Sequence, residues 1–403
     1  MIPSARKQEA EGRRQKAGGR RQEAEGRRQE AGSSLLPVAY CLLPIAYCLL
    51  PSAFLQTAVA ASLKVANGQI IQIKGDVQLK RSDGRIILPQ AGTKIYPQDQ
   101  LLTPNGGEVL VQCNDLSTFS VEGYGEKRLN DCASAKPPEC TPGVYKCPHR
   151  GEVMAWNDSA IPYIISPRRT KLLNAQPRLR WNRVSGATNY TVSIKGEGVD
   201  WKTQVKDTQI VYPGEQPLQP GGQYLLIVRA DTGTSSVEEP IIPGGLGFSL
   251  LEATEAQVVE SQAAAIAQEP WTEEAKTLAL AHLYLKEGLT VEAVEMLEDL
   301  VNRGIKTAPI YNRIGEIYGN FLALATQAKN YYTQAVEVAD SNDIEEQTVA
   351  QDRLGQIEAK FGDQNEAIRL LTLARDGYQL LGDTERVRKL EKQLRELTRE
   401  GKE

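Results

Sequence analysis

The segment "LALAHLYLKEGLTVEAVEML" (residues 278–297) contains two apolar runs separated by Gly288. Within each run, apolar residues recur every three to four positions, which is the spacing of one face of an α-helix. Glycine commonly ends a helix because it has no side chain to oppose a left-handed backbone. The segment therefore predicts two short helices joined by a tight turn.

The same pattern returns twice further along the chain, at steps of 34 and 40 residues. Each copy has small residues at helix crossings and large apolar residues between the helices. A period of this size indicates a stack of helical hairpins. The residues that carry the pattern are Leu280, Ala281, Tyr284, Gly288, Ala293 and Leu297, then Ile314, Gly315, Tyr318, Ala328 and Tyr332, and finally Leu354, Gly355, Gly362, Ala367 and Leu371.

These three units resemble tetratricopeptide repeats. The resemblance implies an α-helical solenoid over residues 249–401, with a helix before the repeats and a capping helix after them. Glu358 stands in the third unit where the pattern has tyrosine. The six additional residues before this unit, near "ADSNDIEEQ" (339–347), predict a longer second helix or loop in the second repeat.

Residues 65–150 alternate apolar and polar side chains between turn signals, as short strands do. In "IIQIKGDVQLKR" (70–81) the apolar positions of the alternation are Ile71, Ile73, Val77 and Leu79. The following "SDGR" is a hairpin turn of the Asp-Gly kind. The region therefore predicts a small all-β domain.

The segment from Lys74 to Val121 resembles the FecR-like domain. The positions that match its pattern of turns and strands are Gly75, Val77, Gly92, Asp99, Leu102, Thr103 and Leu116. In sensory members of that family this module lies across a membrane from an anti-sigma segment. The resemblance implies envelope sensing or cell-wall attachment.

A second β region is predicted over residues 170–243, after a linker at residues 137–175. The phrase "LQPGGQY" (218–224) resembles the tyrosine corner of fibronectin type III sandwiches, in which a tyrosine hydroxyl bonds to upstream backbone. Its matching residues are Leu218, Pro220, Gly221 and Tyr224. The resemblance implies a short β-sandwich with Trp181 in its core.

Residues 1–60 combine a basic leader, an apolar run and small residues in the order of an export signal. Residues 1–30 contain 9 Lys and Arg against 5 Glu, a charge of 9 − 5 = +4, and residues 31–60 are uncharged. Ala58 and Ala60 fit the small positions before a cleavage site. We expect a low-complexity leader with an export signal, and a location in the periplasm or cell envelope.

An uncut membrane anchor is the alternative for the apolar run, because about 20 apolar residues can cross a bilayer. A lipid anchor is less favoured, since Cys41 and Cys48 each follow a bulky tyrosine. Contact with a membrane is therefore expected only through this segment, and only if it stays uncleaved.

The remaining cysteines are Cys113, Cys132, Cys140 and Cys147, an even number that indicates two disulfides in an exported protein. Four cysteines allow three pairings; Cys113–Cys132 with Cys140–Cys147 is preferred because both bonds close short loops. Zinc bound by Cys132, Cys140, Cys147 and His149 is an alternative, although the chain lacks a Cys-x2-Cys knuckle there. Free thiols are the other alternative.

Charge and motifs favour neither nucleic-acid binding nor catalysis. The chain carries −4 overall, so the part beyond the leader carries −4 − 4 = −8, whereas nucleic-acid binders cluster basic residues. No Gly-x-Ser-x-Gly, phosphate-binding loop or His-Glu-x-x-His is present. We therefore expect no enzyme activity, no cofactor and no metal. The carboxylate pairs Glu273–Glu274 and Glu345–Glu346 are expected on solvated helix faces.

The repeat resemblance implies a concave groove lined by the first helix of each unit. With units beginning at Glu274, Ala308 and Thr348, its polar residues are His282, Lys286, Asn312, Glu316, Asn320, Asp352, Gln356 and Lys360. Amides there could hold peptide backbone, and charged residues could select a partner's charge. A merely solvated face, or a groove filled by the helix at 250–268, is the alternative.

The order of export signal, FecR-like domain, sandwich and repeats also resembles a group of exported cyanobacterial proteins. Together these features predict a non-enzymatic extracytoplasmic adaptor or scaffold that binds a protein or peptide through its repeats. FecR-like envelope sensing or cell-wall attachment is the alternative function.

Overall fold

The computed structural model describes residues 66–128, 132, 159–239, 245–340 and 343–400. The predictions for the leader, for Cys140 and Cys147, and for zinc at His149 lie outside these residues. The described chain is β-rich in its N-terminal part and helical in its C-terminal part. The expected combination of β and α regions is therefore present.

The first β domain consists of two antiparallel four-stranded sheets. Their strand orders are β4–β1–β6–β7 and β3–β2–β5–β8. Asp83–Gly84 and Asn114–Asp115 form the turns between β2 and β3 and between β6 and β7, as the sequence predicts. The strands are β1 (Gly68–Lys74), β2 (Gln78–Lys80), β3 (Ile86–Ile87), β4 (Lys94–Ile95), β5 (Gln100–Thr103), β6 (Glu108–Cys113), β7 (Thr118–Glu122) and β8 (Gly125–Arg128).

A β-bulge at Ile71 gives strand β1 two buried faces. The pairing with β6 shifts between Ile70 and Gln72, so Ile71 is an extra residue. Because a bulge reverses the alternation of side chains, Ile70 and Ile73 face the core of the sandwich whereas Ile71 packs against the helices. The predicted alternation, with Ile71 and Ile73 on equivalent positions, is wrong at this point.

The second β domain has a five-stranded sheet, β10–β16–β15–β12–β13, and a three-stranded sheet, β14–β11–β9. Trp181 is buried in its core, and Tyr224 Oη accepts a hydrogen bond from the upstream backbone N–H of Gln219 at 2.7 Å. The strands are β9 (Ile164–Ser166), β10 (Thr170–Leu172), β11 (Arg178–Trp181), β12 (Tyr190–Gly196), β13 (Val199–Val205), β14 (Gln209–Val211), β15 (Gln223–Ala230) and β16 (Phe248–Leu250).

The sheets of this domain include residues on both sides of the expected range 170–243. Strand β9 begins at Ile164, and β10 pairs in parallel with β16, which ends at Leu250. Residues 164–166 and 170–172, which fall within the expected linker, are therefore strands. They pair with β11 and β16, respectively.

Eight α-helices follow in the described residues. They are α1 (Ala253–Gln268), α2 (Glu273–Glu287), α3 (Thr290–Asn302), α4 (Ala308–Glu316), α5 (Ala325–Val338), α6 (Ile344–Phe361), α7 (Gln364–Leu380) and α8 (Thr384–Glu400). Helix α4 continues into a π-helical turn at Ile317–Phe321. Helices α2 and α3, α4 and α5, and α6 and α7 pack as successive pairs, and α8 packs on α7. We call α2 to α7 the helical repeats.

The longer third unit departs from the prediction. Helix α6 begins at Ile344, four residues before the expected start at Thr348, so most of the additional residues extend α6 rather than the preceding helix. Glu358, which replaces the expected tyrosine, is buried and pairs with Lys329 of α5 at 2.6 Å. An ion pair thus fills the place of an aromatic side chain.

Glycine at position 315 is required by helix packing. A Cβ atom at Gly315 would lie 2.8 Å from the ring of the buried Tyr332 on the paired helix. We expect Gly315→Ala to lower the free energy of unfolding by about 1–3 kcal/mol, because the core has no room for the methyl group. Gly319→Ala is the matched control, since its Cβ would make an ordinary contact of 3.4 Å with Ala328. If urea unfolding shows that the two substitutions lower the free energy of unfolding equally, this account of the packing at Gly315 is contradicted.

Candidate protein-binding groove

The eight predicted groove residues lie on α2, α4 with its π turn, and α6, but most of them are not open to solvent. Asn312, Asn320 and Asp352 are buried, and His282, Glu316 and Gln356 are half-buried. Lys286 and Lys360 alone among the eight are exposed. The first β domain covers the middle of this face.

One sheet of the first β domain packs face-on against helix α2. Gln69 and Gln112 donate side-chain hydrogen bonds to the backbone carbonyls of Leu278 (3.3 Å) and Ala279 (3.4 Å). Ile71 and Leu110, on the same face of the sheet, are buried in the apolar cluster of the helices. The groove therefore contacts a folded β-sheet through both apolar and amide side chains.

Residues 80–96, which we call the docking segment, supply the charged contacts. Arg81 Nη2 lies 2.9 Å from Glu345 Oε2, and Lys94 Nζ lies 2.9 Å from Glu316 Oε2. Gln90 Nε2 donates to Asp343 Oδ2 at 2.8 Å. Arg81 also pairs with Asp99 inside its own domain, so it links the core of the first β domain to helix α6.

The carboxylates Glu316, Asp343, Glu345 and Glu346 form what we call the acidic strip. Burial acts against ionisation of Glu316, but Lys94 and Arg313 hold its pKa well below the usual range. The Glu345–Glu346 pair was expected on a solvated face. That expectation is wrong, because the added first turn of α6 points these residues toward the first β domain and toward Asn312.

Two of the predicted groove residues hold the helices to one another. Asn312 Nδ2 donates to Glu346 Oε2 at 2.7 Å and to the Glu346 carbonyl at 2.9 Å. Asp352 accepts hydrogen bonds from Tyr378 Oη at 3.1 Å and from Gln356 Nε2 at 2.6 Å. Asn312 and Asp352 are therefore engaged in contacts between helices, whereas the bond from Gln356 lies within α6.

A small cavity of about 60 Å³ remains between the first β domain and helices α2 and α4. His282, Arg313 and Lys94 are among its lining residues. Burial, together with the charges of Arg313 and Lys286, lowers the pKa of His282 to about 4. The imidazole is therefore neutral near pH 7 and adds no charge to the contact.

A second joint connects the helices to the second β domain through two buried arginines that the sequence did not single out. Arg168 Nε donates to the carbonyl of Leu322 at 2.6 Å, and Arg169 Nε donates to that of Phe321 at 2.9 Å. Both carbonyls lie at the C-terminal end of the α4 π turn, where helix carbonyls lack partners within the helix. Arg168 also pairs with the buried Glu239 at 2.6 Å.

Glu292, at the start of α3, belongs to the same joint. Its Oε1 accepts a hydrogen bond from the backbone N–H of Leu173 at 2.9 Å, whereas its buried Oε2 has no hydrogen-bond partner among the described residues. Burial raises the pKa of Glu292 from 4.5 to about 7. Burial therefore stabilises the neutral carboxyl group of Glu292 relative to the carboxylate in the folded protein.

This pKa shift predicts a pH dependence of stability. Between pH 4.5 and 7 the folded chain holds a proton at Glu292 that the unfolded chain releases. The free energy of unfolding contributed by this residue should therefore fall as pH rises through that window, and level off above it. In Glu292→Gln this contribution is absent. Urea unfolding of both proteins at several pH values checks this, and a constant difference between them from pH 4.5 to 7 would contradict it.

Cys113 and Cys132 form a disulfide, with their Cα atoms 5.2 Å apart. This confirms one bond of the preferred pairing. Among the described residues, no group of three or more His, Cys, Asp or Glu side chains is arranged to hold a metal ion. In the same part of the chain, no helix combines the length and the apolar character needed to span a bilayer.

No protein-family model matches the chain, and no curated protein matches it significantly. Solved structures with some likeness include "Crystal structure of MamA protein", at 17% identity and a TM-score of 0.24, over 36% of this chain and 75% of that one. "Crystal structure of MamA" and "MamA MSR-1 C2" each match 36% of this chain at 17% identity and a TM-score of 0.23, over 86% and 91% of their own lengths. Likenesses of this size do not establish a common fold.

Proposed function

We propose that this protein is a non-enzymatic scaffold that acts by protein–protein contact through a tetratricopeptide-type solenoid. The observation that carries the proposal is the contact of the repeats with the first β domain. Their concave face holds a folded β-sheet by ion pairs, amide hydrogen bonds and buried apolar side chains. A surface with these features is suited to binding protein.

The proposal also assigns a type to each β domain and a class to the partner. We propose that the first β domain is FecR-like and that the second is a fibronectin-III-like spacer. The proposed partner is a protein or peptide and not a nucleic acid. The location is taken as the periplasm or cell envelope, following from the basic and apolar leader. Sequencing the N-terminus of the native protein tests this location, since a cleaved signal leaves a chain that starts near Ala61.

A protease-cut chain tests whether the groove binds protein. A recognition sequence for a site-specific protease is inserted after Arg150, so that all four cysteines of the domain remain on the N-terminal fragment. After cleavage the two fragments should still co-elute in size-exclusion chromatography at micromolar concentration. An N-terminal fragment that elutes alone in native buffer would contradict the proposal.

One observation favours the alternative of envelope sensing or attachment through the first β domain. Ile86, the first residue of the edge strand β3, and Leu88, just after that strand, are 56% and 53% exposed. Strand β3 belongs to the sheet that does not pack against α2. Loss of binding to isolated cell envelope in Ile86→Asp, with the cut fragments still associated, would support this alternative.

A further inference from the structure

The docking segment is basic and the surface it contacts is acidic. The segment "KRSDGRIILPQAGTKIY" (80–96) has 4 basic residues and 1 acidic residue, a net charge of 4 − 1 = +3. It bonds to the acidic strip in three places: Arg81 to Glu345, Gln90 to Asp343, and Lys94 to Glu316. One continuous segment therefore supplies opposite charges for two of the four carboxylates and an amide hydrogen bond for a third.

The acidic strip exists because the third unit is longer than the repeat pattern requires. Three of its four carboxylates, Asp343, Glu345 and Glu346, lie in or just before the added first turn of α6. The corresponding helix of the first unit, α2, begins at Glu273 and has no such extension. The strip is thus a feature of this chain and not a consequence of stacking helical hairpins.

We propose that the acidic strip is a docking surface for a basic protein segment, and that the docking segment is its built-in occupant, which an external basic partner must displace. The proposal rests on the proposed scaffold function and specifies the chemistry of the partner. Such a partner carries Arg or Lys side chains spaced to reach Glu316 and Glu345, with amides between them. Charge complementarity selects this partner over an acidic or apolar one.

The connection between the domains explains why the surface is closed in the isolated chain. The docking segment and the strip belong to one chain, so a free peptide has to compete with an intramolecular contact. Ile71 and Leu110 add apolar contacts that a short basic segment lacks. A free basic peptide should therefore bind the unmodified protein only weakly.

A labelled peptide with the sequence of residues 80–96 is the probe, and binding is measured by fluorescence anisotropy on the full chain. Ile71→Asp opens the contact by placing a carboxylate in the apolar interface. Val211→Asp is the control, because it also places a carboxylate at an apolar residue, one that is 55% exposed on the edge strand β14 and lies outside both the docking segment and the strip. The opened chain should bind the peptide at least tenfold more tightly than the control chain.

Two further comparisons test the role of charge. Adding Glu316→Gln and Glu345→Gln to the opened chain should remove the gain in affinity. A peptide in which glutamates replace the residues equivalent to Arg81 and Lys94 should not bind. Equal affinity for the opened and control chains, or binding that persists without the two carboxylates, would overturn the proposal.

If circular dichroism shows that Ile71→Asp is unfolded, Gln90→Glu/Lys94→Glu replaces it and is judged by the same outcomes. That variant sets like charges opposite Asp343 and Glu316 and leaves the Arg81–Asp99 pair intact. The cut-chain experiment separates the two proposals. Fragments that stay together while no opened chain binds the peptide refute this inference alone, and fragments that separate refute the scaffold function.

Discussion

Ile71→Asp should release the first β domain from the helices without unfolding it. Ile71 is fully buried among helical residues, and its neighbour Ile70 faces the core of the sandwich. An unpaired buried carboxylate costs on the order of 4 kcal/mol, which weakens docking about a thousandfold. We expect the radius of gyration to rise, and hydrogen exchange of helix α2 to accelerate at least tenfold.

Ile70→Asp is the matched comparison, one residue away on the opposite face of the same bulge. It should unfold the first β domain itself, and strand β6 would then lose exchange protection together with β1. In Ile71→Asp, β6 should remain protected. Identical exchange patterns in the two variants would contradict the assignment of the two isoleucines to different cores.

Arg168→Met should be the most destabilising single change at the second joint. It leaves Glu239 buried without its cation and removes the bond to the Leu322 carbonyl. Losing one partner of a buried ion pair costs about 3–5 kcal/mol. For a unit of this size the melting temperature should fall by roughly 10 °C, since each kcal/mol corresponds to about 2–4 °C.

Two variants show whether the buried charge is the cause. Arg168→Met/Glu239→Gln removes the unpaired charge and keeps an acceptor for the Ile164 N–H, so it should recover at least half of the loss. Arg180→Met should cost less than about 1 kcal/mol, because Arg180 is part-exposed and lies 3.8 Å from Glu298. A double variant no more stable than Arg168→Met would contradict this explanation.

The helical hairpins could be predicted because their pattern is local. Gly315 and Tyr332 belong to the repeat pattern, and the structure packs the tyrosine ring where a Cβ of residue 315 would lie. The corner bond of Tyr224 was predictable for the same reason, since donor and acceptor are five residues apart. Both contacts join residues that are close in the sequence, so the spacing of residue types predicts them.

The contacts between domains could not be predicted in this way. Arg81 and Glu345 are 264 residues apart, and Arg168 lies 154 residues from the carbonyl it bonds to. No spacing in the sequence links such pairs, so the sequence alone predicts a solvated Glu345 and a linker around Arg168. The sequence does not reveal the bulge at Ile71, because Ile70 and Ile71 are identical side chains and differ only in the cluster in which the fold buries them.

The contacts of the groove residues differ from those expected of an open groove. Glu316 was expected to select a partner's charge, and it pairs with Lys94 of the same chain. Asn312 was expected to hold a partner's backbone and instead bonds to Glu346 on the next unit. A groove that already holds a ligand in the same chain has the same sequence signature as an open one.

Carbodiimide cross-linking of the unmodified protein tests most directly whether the groove is occupied by the chain's own β domain. The reagent activates a carboxylate, and a lysine amine in contact with it displaces the activated oxygen, forming an amide with loss of one water. Lys94 Nζ and Glu316 Oε2 are 2.9 Å apart, and Lys329 and Glu358, both within the repeats, are 2.6 Å apart.

Mass spectrometry of an equimolar mixture of ¹⁴N- and ¹⁵N-labelled protein should find both links, each joining peptides of the same isotope. A Lys329–Glu358 link without a Lys94–Glu316 link, or a Lys94–Glu316 link only between chains of different isotope, would contradict the account.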